Sequence, residues 1–367
     1  MMRILHVYKD YHPIIGGIEN HMKTLAEAQA AAGHDVTVLV TNPGGEAREA
    51  MLNGVRVIRA MRIATVASTP LSPLFPLRLA QQQPDITHLQ FPYPVGEVSQ
   101  LLGGNGRPFV ISYQSDVVKQ QTILRWYRPL LRHVLQQADT ILASSAQYVA
   151  SSPYLSPLAN KCVIVPLAVD PKPFTDAAPL IAPVDKPTLL FLGQHRYYKG
   201  VDDLIRAMSQ IEARLLIGGD GPMRSGWQAL TNELGVANKV QFLGRVPDAD
   251  LPGLYASADI FVLPANARSE AFGKVLLEAM ASGLPCITTE LGTGTSFVVQ
   301  DGVSGLVVKP KCPEELVTAV NTLINNPDLR TQMGAAGRRR VNSEFTPILM
   351  VARVNAIYEK ILASYKI

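Results

Sequence analysis

The chain has 367 residues, of which 47% are hydrophobic and 17% are charged. This length exceeds that of one compact core and predicts two domains, while the hydrophobic content excludes a disordered chain. The net charge is only +4, and the basic residues are spread along the chain. Nucleic acid is therefore not an expected partner.

The beginning of the chain, "MMRILHVYKD", reads as a strand and lacks the longer apolar run and the cleavage site of a signal peptide. No window of about 18 residues is apolar and free of charge, so we predict no membrane span. The three cysteines, Cys162, Cys286 and Cys312, are too far apart for a zinc site or a disulfide framework. A reducing, cytoplasmic location is therefore expected.

In the first half of the chain, short apolar runs alternate with helical patterns. A helix is predicted over 17–33, and strands are predicted over 3–8, 35–40, 86–90, 108–113, 140–144 and 162–166. The stretch 41–80 shows no motif and is predicted to consist of loops. Strands that alternate with helices predict a parallel sheet in an α/β fold.

A proline-rich stretch over 169–187 interrupts this alternation and is predicted to be a linker. The alternation then resumes, with a helix over 201–211 and strands over 188–193, 214–221, 240–246, 260–264, 285–289 and 305–308. Each half has the size of one doubly wound domain. Ligands of such domains bind beyond the carboxyl ends of the strands, and two facing domains would share one cleft.

The stretch "SEAFGKVLLEAMASGLP" places Glu270 in a loop after a strand and Glu278 in the second turn of a helix. On a continuous helix these carboxylates would lie about 12 Å apart, so they can contact two parts of an extended ligand. The amides of Phe272 and Gly273 lie at the helix start, where the dipole favours anions. A phosphorylated, hydroxyl-rich ligand fits this pattern. From the spacing alone, ordinary acidic residues near a helix start are the stronger interpretation.

In "YHPIIGGIENH", Gly16 and Gly17 lie between a strand and a helix, where the missing side chains let the backbone approach a ligand closely. A plain turn is an equal alternative. The stretch is not the dinucleotide fingerprint GxGxxG, which counts against a nicotinamide enzyme.

Two more loops at strand ends carry polar side chains. In "LGQHRYYKGVDDL", Arg196 and Lys199 could neutralise a diphosphate, although solvated loop charges explain either cation alone. In "ISYQSDVVKQ", Gln114 and Asp116 follow a buried strand, and Asp116 is a candidate cap for the next helix.

The stretch 117–137 combines aromatic and apolar side chains with four basic residues, Lys119, Arg125, Arg128 and Arg132. Such a helix can lie on an anionic membrane surface. A helix packed on its own domain is the favoured alternative.

Together these segments resemble retaining glycosyltransferases of family 4. The resemblance covers nearly the whole chain, from "HPIIGGIENHMKTLAEAQAAAGHDVTVL" through "YYKGVDDLIRAM" to "SEAFGKVLLEAMASGLPCI" and "GVSGLVV". Its most specific part is Glu270-x7-Glu278 followed by "AMASGLP", and in that context a functional interpretation of the two glutamates becomes the stronger one. The resemblance implies the GT-B fold, in which two Rossmann-like doubly wound domains face a central cleft. The implied parts are an acceptor domain over 1–170, a nucleotide-sugar donor domain over 171–345, and a last helix over 346–367 that crosses back to the first domain.

The resemblance also implies roles for the residues singled out above. Glu278 would bind the ribose hydroxyls of the nucleotide, and Lys199 would bind the diphosphate. Gly16 and Gly17 would let the first domain approach the diphosphate and the sugar. Glu270 would bind the donor sugar with the amides of the next three residues, Ala271, Phe272 and Gly273. The family fold uses no bound metal, so neither a metal nor another cofactor is expected.

The chain departs from the family pattern twice. Gln114 stands where the family usually has histidine, and Gln194 stands where it usually has arginine, whose diphosphate contact Arg196 could take over. In the front-face mechanism usually given for retention, the leaving diphosphate helps to deprotonate the incoming hydroxyl, and cations and amides stabilise its departure. Glutamine can still exchange hydrogen bonds with a sugar hydroxyl, so we predict an active enzyme.

Within the family, the chain looks most like bacterial mannosyltransferase-like enzymes of surface polysaccharide assembly. We predict transfer of a hexose, mannose from GDP-mannose, to a hydroxyl of a growing, lipid-linked glycan. Loops in 41–80 would contact this acceptor, and the basic aromatic helix would touch the cytoplasmic face of the membrane.

Two alternatives stay open. Gln114 and Gln194 raise the possibility of a catalytically impaired homologue that binds nucleotide-sugar or a partner enzyme. A GT-B epimerase acting on a UDP-sugar shares the fold, although "YYKG" together with the two glutamates argues against it.

Overall fold

The structure is a computed structural model, and it describes these residues of the chain: 1–14, 16–44, 47–66, 69–116 and 121–365. The chain divides into two compact units. The first unit comprises Met1–Leu167 together with Pro347–Ile367, and the second unit comprises Ala168–Thr346.

The first unit is built on a mainly parallel sheet. Its strands are β1 (Arg3–Val7), β2 (Asp35–Asn42), β3 (Arg48–Leu52), β4 (Val55–Met61), β5 (Ala64–Val66), β6 (Thr69–Leu71), β7 (Ile86–Phe91), β8 (Phe109–Tyr113), β9 (Thr140–Ala143) and β10 (Cys162–Ile164). Strands β5 and β6 form a separate hairpin, and the others follow the order β10-β9-β8-β7-β1-β2-β4-β3. The order reverses between β1 and β7, and ligands of doubly wound sheets bind at such a point.

The prediction of loops over 41–80 is wrong, because this stretch contains strands and a short helix. Strands β3 and β4 form an antiparallel hairpin in which Leu52 lies opposite Val55. Asn53 and Gly54 make its turn with φ values of 49° and 81°, and a two-residue type I′ turn needs positive φ at both positions. The Asn-Gly pair between two strand-like runs is therefore a hairpin signal in the sequence.

The helices that follow these strands are α1 (Gly17–Ala31), α2 (Phe75–Ala80), α3 (Pro94–Gly103), α4 (Gln121–Gln137) and α5 (Ala146–Ser151), with a 3-10 helix at Ser156–Lys161. The helix predicted over 17–33 is confirmed by α1, which buries Met22, Leu25 and Ala26 on one face. All six side chains of β7 are buried, as expected for a central parallel strand covered on both faces.

The second unit has a fully parallel sheet of strands β11 (Thr188–Leu192), β12 (Arg214–Gly218), β13 (Val240–Gly244), β14 (Ile260–Leu263), β15 (Cys286–Thr289) and β16 (Gly305–Val308). Its helices are α6 (Val201–Ala207), α7 (Arg224–Glu233), α8 (Leu251–Ala256), α9 (Lys274–Ala281), α10 (Thr295–Val298), α11 (Pro313–Ile324) and α12 (Pro327–Glu344). Short 3-10 helices lie at Lys172–Phe174, Tyr197–Lys199, Met208–Gln210, Ala237–Lys239 and Asp248–Asp250. The strand order is β13-β12-β11-β14-β15-β16, so this sheet reverses between β11 and β14.

The last helix, α13 (Pro347–Ser364), belongs to the first unit and packs on α1. Gln29 of α1 donates a hydrogen bond to Asn355 Oδ1 at 2.9 Å, and the Tyr358 hydroxyl lies 2.5 Å from Nδ1 of His88 on β7. Among the described residues, none of the helices combines the length and the apolar composition that a membrane span needs.

The first unit also buries an acid, Glu97 of α3, which is 1% exposed. Its carboxylate accepts hydrogen bonds from the Tyr93 backbone N–H at 2.8 Å and from the Tyr127 hydroxyl of α4. Burial raises the pKa of Glu97 from 4.5 to about 8, because the charged form loses its hydration.

We therefore expect Glu97 to make stability depend on pH. Between 4.5 and about 8, the unfolded chain has released this proton while the folded chain keeps it, so stability is lost as the pH rises. Glu97→Gln should gain stability relative to wild type over this window, by up to about 1.4 kcal/mol per pH unit. Urea unfolding of both proteins from pH 5 to 8 measures the difference.

The control for this prediction is Glu359→Gln, which neutralises an exposed carboxylate of α13. Replacing this exposed residue should change the free energy of unfolding little. A stability difference between Glu97→Gln and wild type that does not vary with pH would show that the Glu97 carboxyl ionises alike in the folded and unfolded chain.

Candidate active-site residues in the two units

The reversal of strand order in the second unit brings two charged residues together. Lys199 follows β11 and Glu270 follows β14, and these strands are neighbours in the sheet. Lys199 Nζ lies 2.5 Å from Glu270 Oε2, and the two side chains are only 10% and 11% exposed. The sequence had suggested both residues separately, and the fold joins them as a buried ion pair.

The pair is supported by its surroundings. Lys199 Nζ lies 5.7 Å from the centre of the Tyr198 ring, a distance at which cation–π attraction contributes. The Thr293 hydroxyl donates to the Glu270 carbonyl at 2.8 Å, which ties the loop after β14 to the loop after β15. The position of Glu270 is thus defined by both its side chain and its backbone.

The three residues after Glu270 present backbone amides at the start of α9. Gly273 has φ 81°, and a Cβ there would lie 2.9 Å from Leu276 Cδ1 and 3.0 Å from Leu263 Cδ2, so a larger residue would be strained. No hydrogen bond to a described residue uses the N–H groups of Ala271, Phe272 or Gly273. Unpaired amides at a helix start can bind an anion.

Glu278 is buried in the second turn of α9. Its Oε2 accepts a hydrogen bond from the Tyr255 hydroxyl at 2.9 Å, and Lys274 Nζ lies 3.8 Å from its Oε1. Burial raises the pKa of Glu278, and the Lys274 charge opposes this shift. The carboxylate keeps lone pairs that can accept from ligand hydroxyls.

Gln194 and Arg196 are exposed and lie on either side of the buried His195. The His195 ring packs 4.7 Å from the Trp227 ring, so it belongs to the core of the second unit. In the described part of the chain, no hydrogen bond joins Arg196 to Lys199 or Glu270 through its side chain. The fold therefore brings Lys199 to the candidate site and leaves Arg196 at the surface.

In the first unit, Gly16 and Gly17 occupy the start of α1 after β1. A Cβ at Gly16 would lie 2.1 Å from Glu19 Oε2, so the missing side chain makes room for that carboxylate. A Cβ at Gly17 would meet no atom within 4 Å, so Gly17 faces open space.

Gln114 follows β8 and is partly buried. Its Nε2 donates to Oε1 of Gln90 on β7 at 3.1 Å. Asp116 accepts from the Tyr113 and Ser152 hydroxyls at 2.9 and 2.7 Å, so its carboxylate braces the end of β8. The residues after it, 117–120, lie outside the described part of the chain. They include Lys119, one of the four basic residues of the helix predicted to lie on a membrane surface.

Sequence reasoning missed Tyr255 and Gln90, the partners of Glu278 and Gln114. Tyr255 carries no signal, because it is an aromatic residue on a short helix. Gln90 carries one, since "ITHLQ" places His88 and Gln90 two positions apart, on the same face of the predicted strand. Among the described residues, no group of three or more His, Cys, Asp or Glu side chains could hold a metal ion.

The ion pair generates a prediction about stability. Glu270→Gln should lower the free energy of unfolding by about 3–5 kcal/mol, because it leaves the buried Lys199 ammonium without its counter-charge. Adding Lys199→Met should restore part of this loss. Urea denaturation measures both changes.

The matched control is Glu49→Gln, because Glu49 pairs with Arg56 and both side chains are about half exposed. Its effect should be small. An equally small effect of Glu270→Gln would contradict the importance of the buried pair.

Comparison with known proteins identifies the family. Residues 15–172 match the model described as Glycosyltransferase Family 4, and residues 175–340 match the model described as Glycosyl transferases group 1. The chain is 34% identical to O-antigen chain mannosyltransferase C of Escherichia coli, over 99% of this chain and 100% of that protein. It is also 34% identical to D-rhamnosyltransferase WbpZ of Pseudomonas aeruginosa, over 94% and 92%.

Among solved structures, sucrose-phosphate synthase from Thermosynechococcus elongatus matches with a TM-score of 0.82 and 22% identity, over 99% of this chain and 100% of that one. This likeness shows the fold, and the sequence relatives show the family. The chain is therefore a glycosyltransferase with the GT-B fold, and it belongs to glycosyltransferase family 4.

Proposed function

We propose that this glycosyltransferase moves mannose from GDP-mannose to a hydroxyl of a growing, lipid-linked surface polysaccharide, with retention of the anomeric configuration. The observation that carries the proposal is the Lys199–Glu270 pair beside the unpaired amides of 271–273 at the strand-order reversal of the second unit. The two relatives named above are an O-antigen mannosyltransferase and a rhamnosyltransferase, which supports a hexose donor and a polysaccharide product.

The second unit is proposed to bind the donor. Lys199 and the amides of 271–273 supply positive charge and N–H donors for a diphosphate. The Glu278 carboxylate accepts from the ribose hydroxyls while Tyr255 holds it in place. Glu270 accepts from hydroxyls of the transferred sugar and shares Lys199 with the diphosphate.

Bond cleavage leaves negative charge on the diphosphate, and preorganised groups that meet this charge lower the barrier. Lys199 and the α9 amides do so in our proposal, and the departing diphosphate takes up the proton of the attacking hydroxyl. Exposed Arg196 is proposed to supply a further cation. Gln114 is proposed to accept a hydrogen bond from the transferred sugar and Gly17 to let the ligand approach the backbone.

Donor binding gives a direct test. GDP-mannose at about 100 times its dissociation constant should stabilise the protein by about 2.7 kcal/mol, seen as a rise in melting temperature. Glu278→Gln should weaken binding about 10- to 100-fold, because hydrogen bonds to a charged acceptor contribute about 1.5–3 kcal/mol. UDP-glucose, UDP-N-acetylglucosamine and the free nucleotides, tried separately, identify the base.

The control is Glu233→Gln, which removes an exposed carboxylate of α7 and should leave the donor shift unchanged. A shift with a UDP-sugar alone would replace GDP-mannose in the proposal. No shift with any donor would favour a homologue that has lost donor binding.

The activity itself is tested by glycoside formation with the donor that binds and a lipid-linked glycan acceptor. NMR of the product should show a retained anomeric configuration. If the wild type is silent and Gln114→His is active, the chain is a catalytically impaired homologue. Conversion of a UDP-sugar without acceptor would instead support an epimerase.

The acceptor lipid raises the question of membrane contact, and α4 offers a surface for it. Arg125, Arg128 and Arg132 are exposed on this helix, while Leu131 and Val134 are buried against the unit. We propose that the basic face meets anionic headgroups, as the opposite, apolar face already serves to pack the helix.

Flotation with vesicles of anionic and neutral lipid tests this contact. The protein should float with anionic vesicles at low salt and remain behind with neutral ones. Replacing the three α4 arginines with glutamate should abolish flotation, since each basic residue near the surface contributes about 1 kcal/mol. The control carries the same charge change at exposed positions of the second unit, Lys172, Lys311 and Arg339. Equal loss of flotation in both variants would show that net charge, and not the α4 surface, binds the vesicles. Absence of flotation of the wild type would exclude the membrane contact.

A further inference from the structure

A chain of buried polar side chains lies beneath Gln114 in the first unit. Strands β7 and β8 are paired so that Gln90 lies beside Ser112. His88, Gln90 and Ser112 are 0%, 1% and 5% exposed. Polar side chains in such a place cost free energy unless each has a partner, so their hydrogen bonds define how they can be oriented.

The polar side chains form a continuous series of contacts from Tyr358 to Gln114. His88 Nδ1 lies 2.5 Å from the Tyr358 hydroxyl, and its Nε2 lies 2.7 Å from Ser112 Oγ and 3.4 Å from Gln90 Nε2. Gln90 Oε1 accepts from Gln114 Nε2 at 3.1 Å.

The protonation of His88 follows from these partners. The amide of Gln90 turns its NH2 group towards His88 Nε2, so that nitrogen must be an acceptor and Nδ1 must carry the proton. Burial lowers the pKa of His88 well below its usual value, which keeps the ring neutral. A neutral His88 donates to Tyr358 and accepts from Ser112 and Gln90.

We propose that Gln90 is a positioning residue that holds Gln114 with its NH2 group inward and its carbonyl oxygen available to the substrate, with His88 orienting Gln90. This inference rests on the proposed role of Gln114 in contacting the transferred sugar. Gln114 Oε1 accepts no hydrogen bond from the described residues, which leaves its acceptor capacity for a sugar hydroxyl. The first unit thereby adapts to glutamine at a position where the family usually has histidine.

A double-mutant cycle separates positioning from mere core stability. Gln90→Met keeps the size of the side chain but removes the bond to Gln114. It should lower kcat about 10- to 100-fold, as small misplacements of a reacting group do, with little change in KM for the donor. In a Gln114→Ala background the same change should have no further effect on kcat, because no amide is left to position.

The matched control is Gln100→Met, which alters another buried glutamine of the first unit, on α3 and 4% exposed. It should leave kcat and KM near wild type. If Gln90→Met lowers kcat by the same factor with and without Gln114, its effect is structural and the proposal is overturned.

A second measurement needs no activity and no variant of Gln90. In wild type labelled with [15N]glutamine, the side-chain amide signal of Gln114 is assigned by its loss in Gln114→Ala. Its exchange with solvent should be slower than that of exposed Gln194, because one N–H is bound to Gln90.

The exchange measurement and the transfer assay test different parts of the proposal. Exchange as fast as that of Gln194 would overturn the positioning role even in an active enzyme. Slow exchange in a protein that transfers no sugar would support the Gln90–Gln114 hydrogen bond but refute the proposed function.

Discussion

The candidate donor site depends on the ion pair between Lys199 and Glu270. Both side chains are nine-tenths buried, and each ion would be costly there without the other. The pair joins the loops after β11 and β14, and it therefore sets where the amides of 271–273 lie relative to the lysine. In the proposed function, a donor diphosphate at Lys199 would share this lysine with Glu270, so donor binding would be linked to the packing of these loops.

The first unit orients the side-chain amide of Gln114. This amide carries both a hydrogen-bond donor and an acceptor, and in the proposed function the acceptor has to face the transferred sugar. Gln90 and His88 are held by the pairing of β7 with β8 and by Tyr358 of the last helix. The orientation of the partly buried Gln114 amide is in this way connected to the core and to α13.

The parts that could be predicted are those with a strong local signal. Parallel strands buried on both faces are nearly continuous apolar runs, and the strands predicted from such runs are present. Strands in 41–80 lack this signal because β3 and β5 are exposed and β6 is short, although Asn53-Gly54 marks the hairpin. Glu270 and Glu278 could be singled out from the sequence, but their partners could not.

The α/β class, the division into two halves and the loops at strand ends that carry polar residues can all be predicted from the amino-acid sequence. The contacts of Lys199 with Glu270, 71 positions away, and of His88 with Tyr358, 270 positions away, appear only in the folded chain. The physical reason is that local patterns encode which residues form strands and helices, whereas strand order depends on how the sheet and helices pack. Residues from distant segments become neighbours only when that order is established.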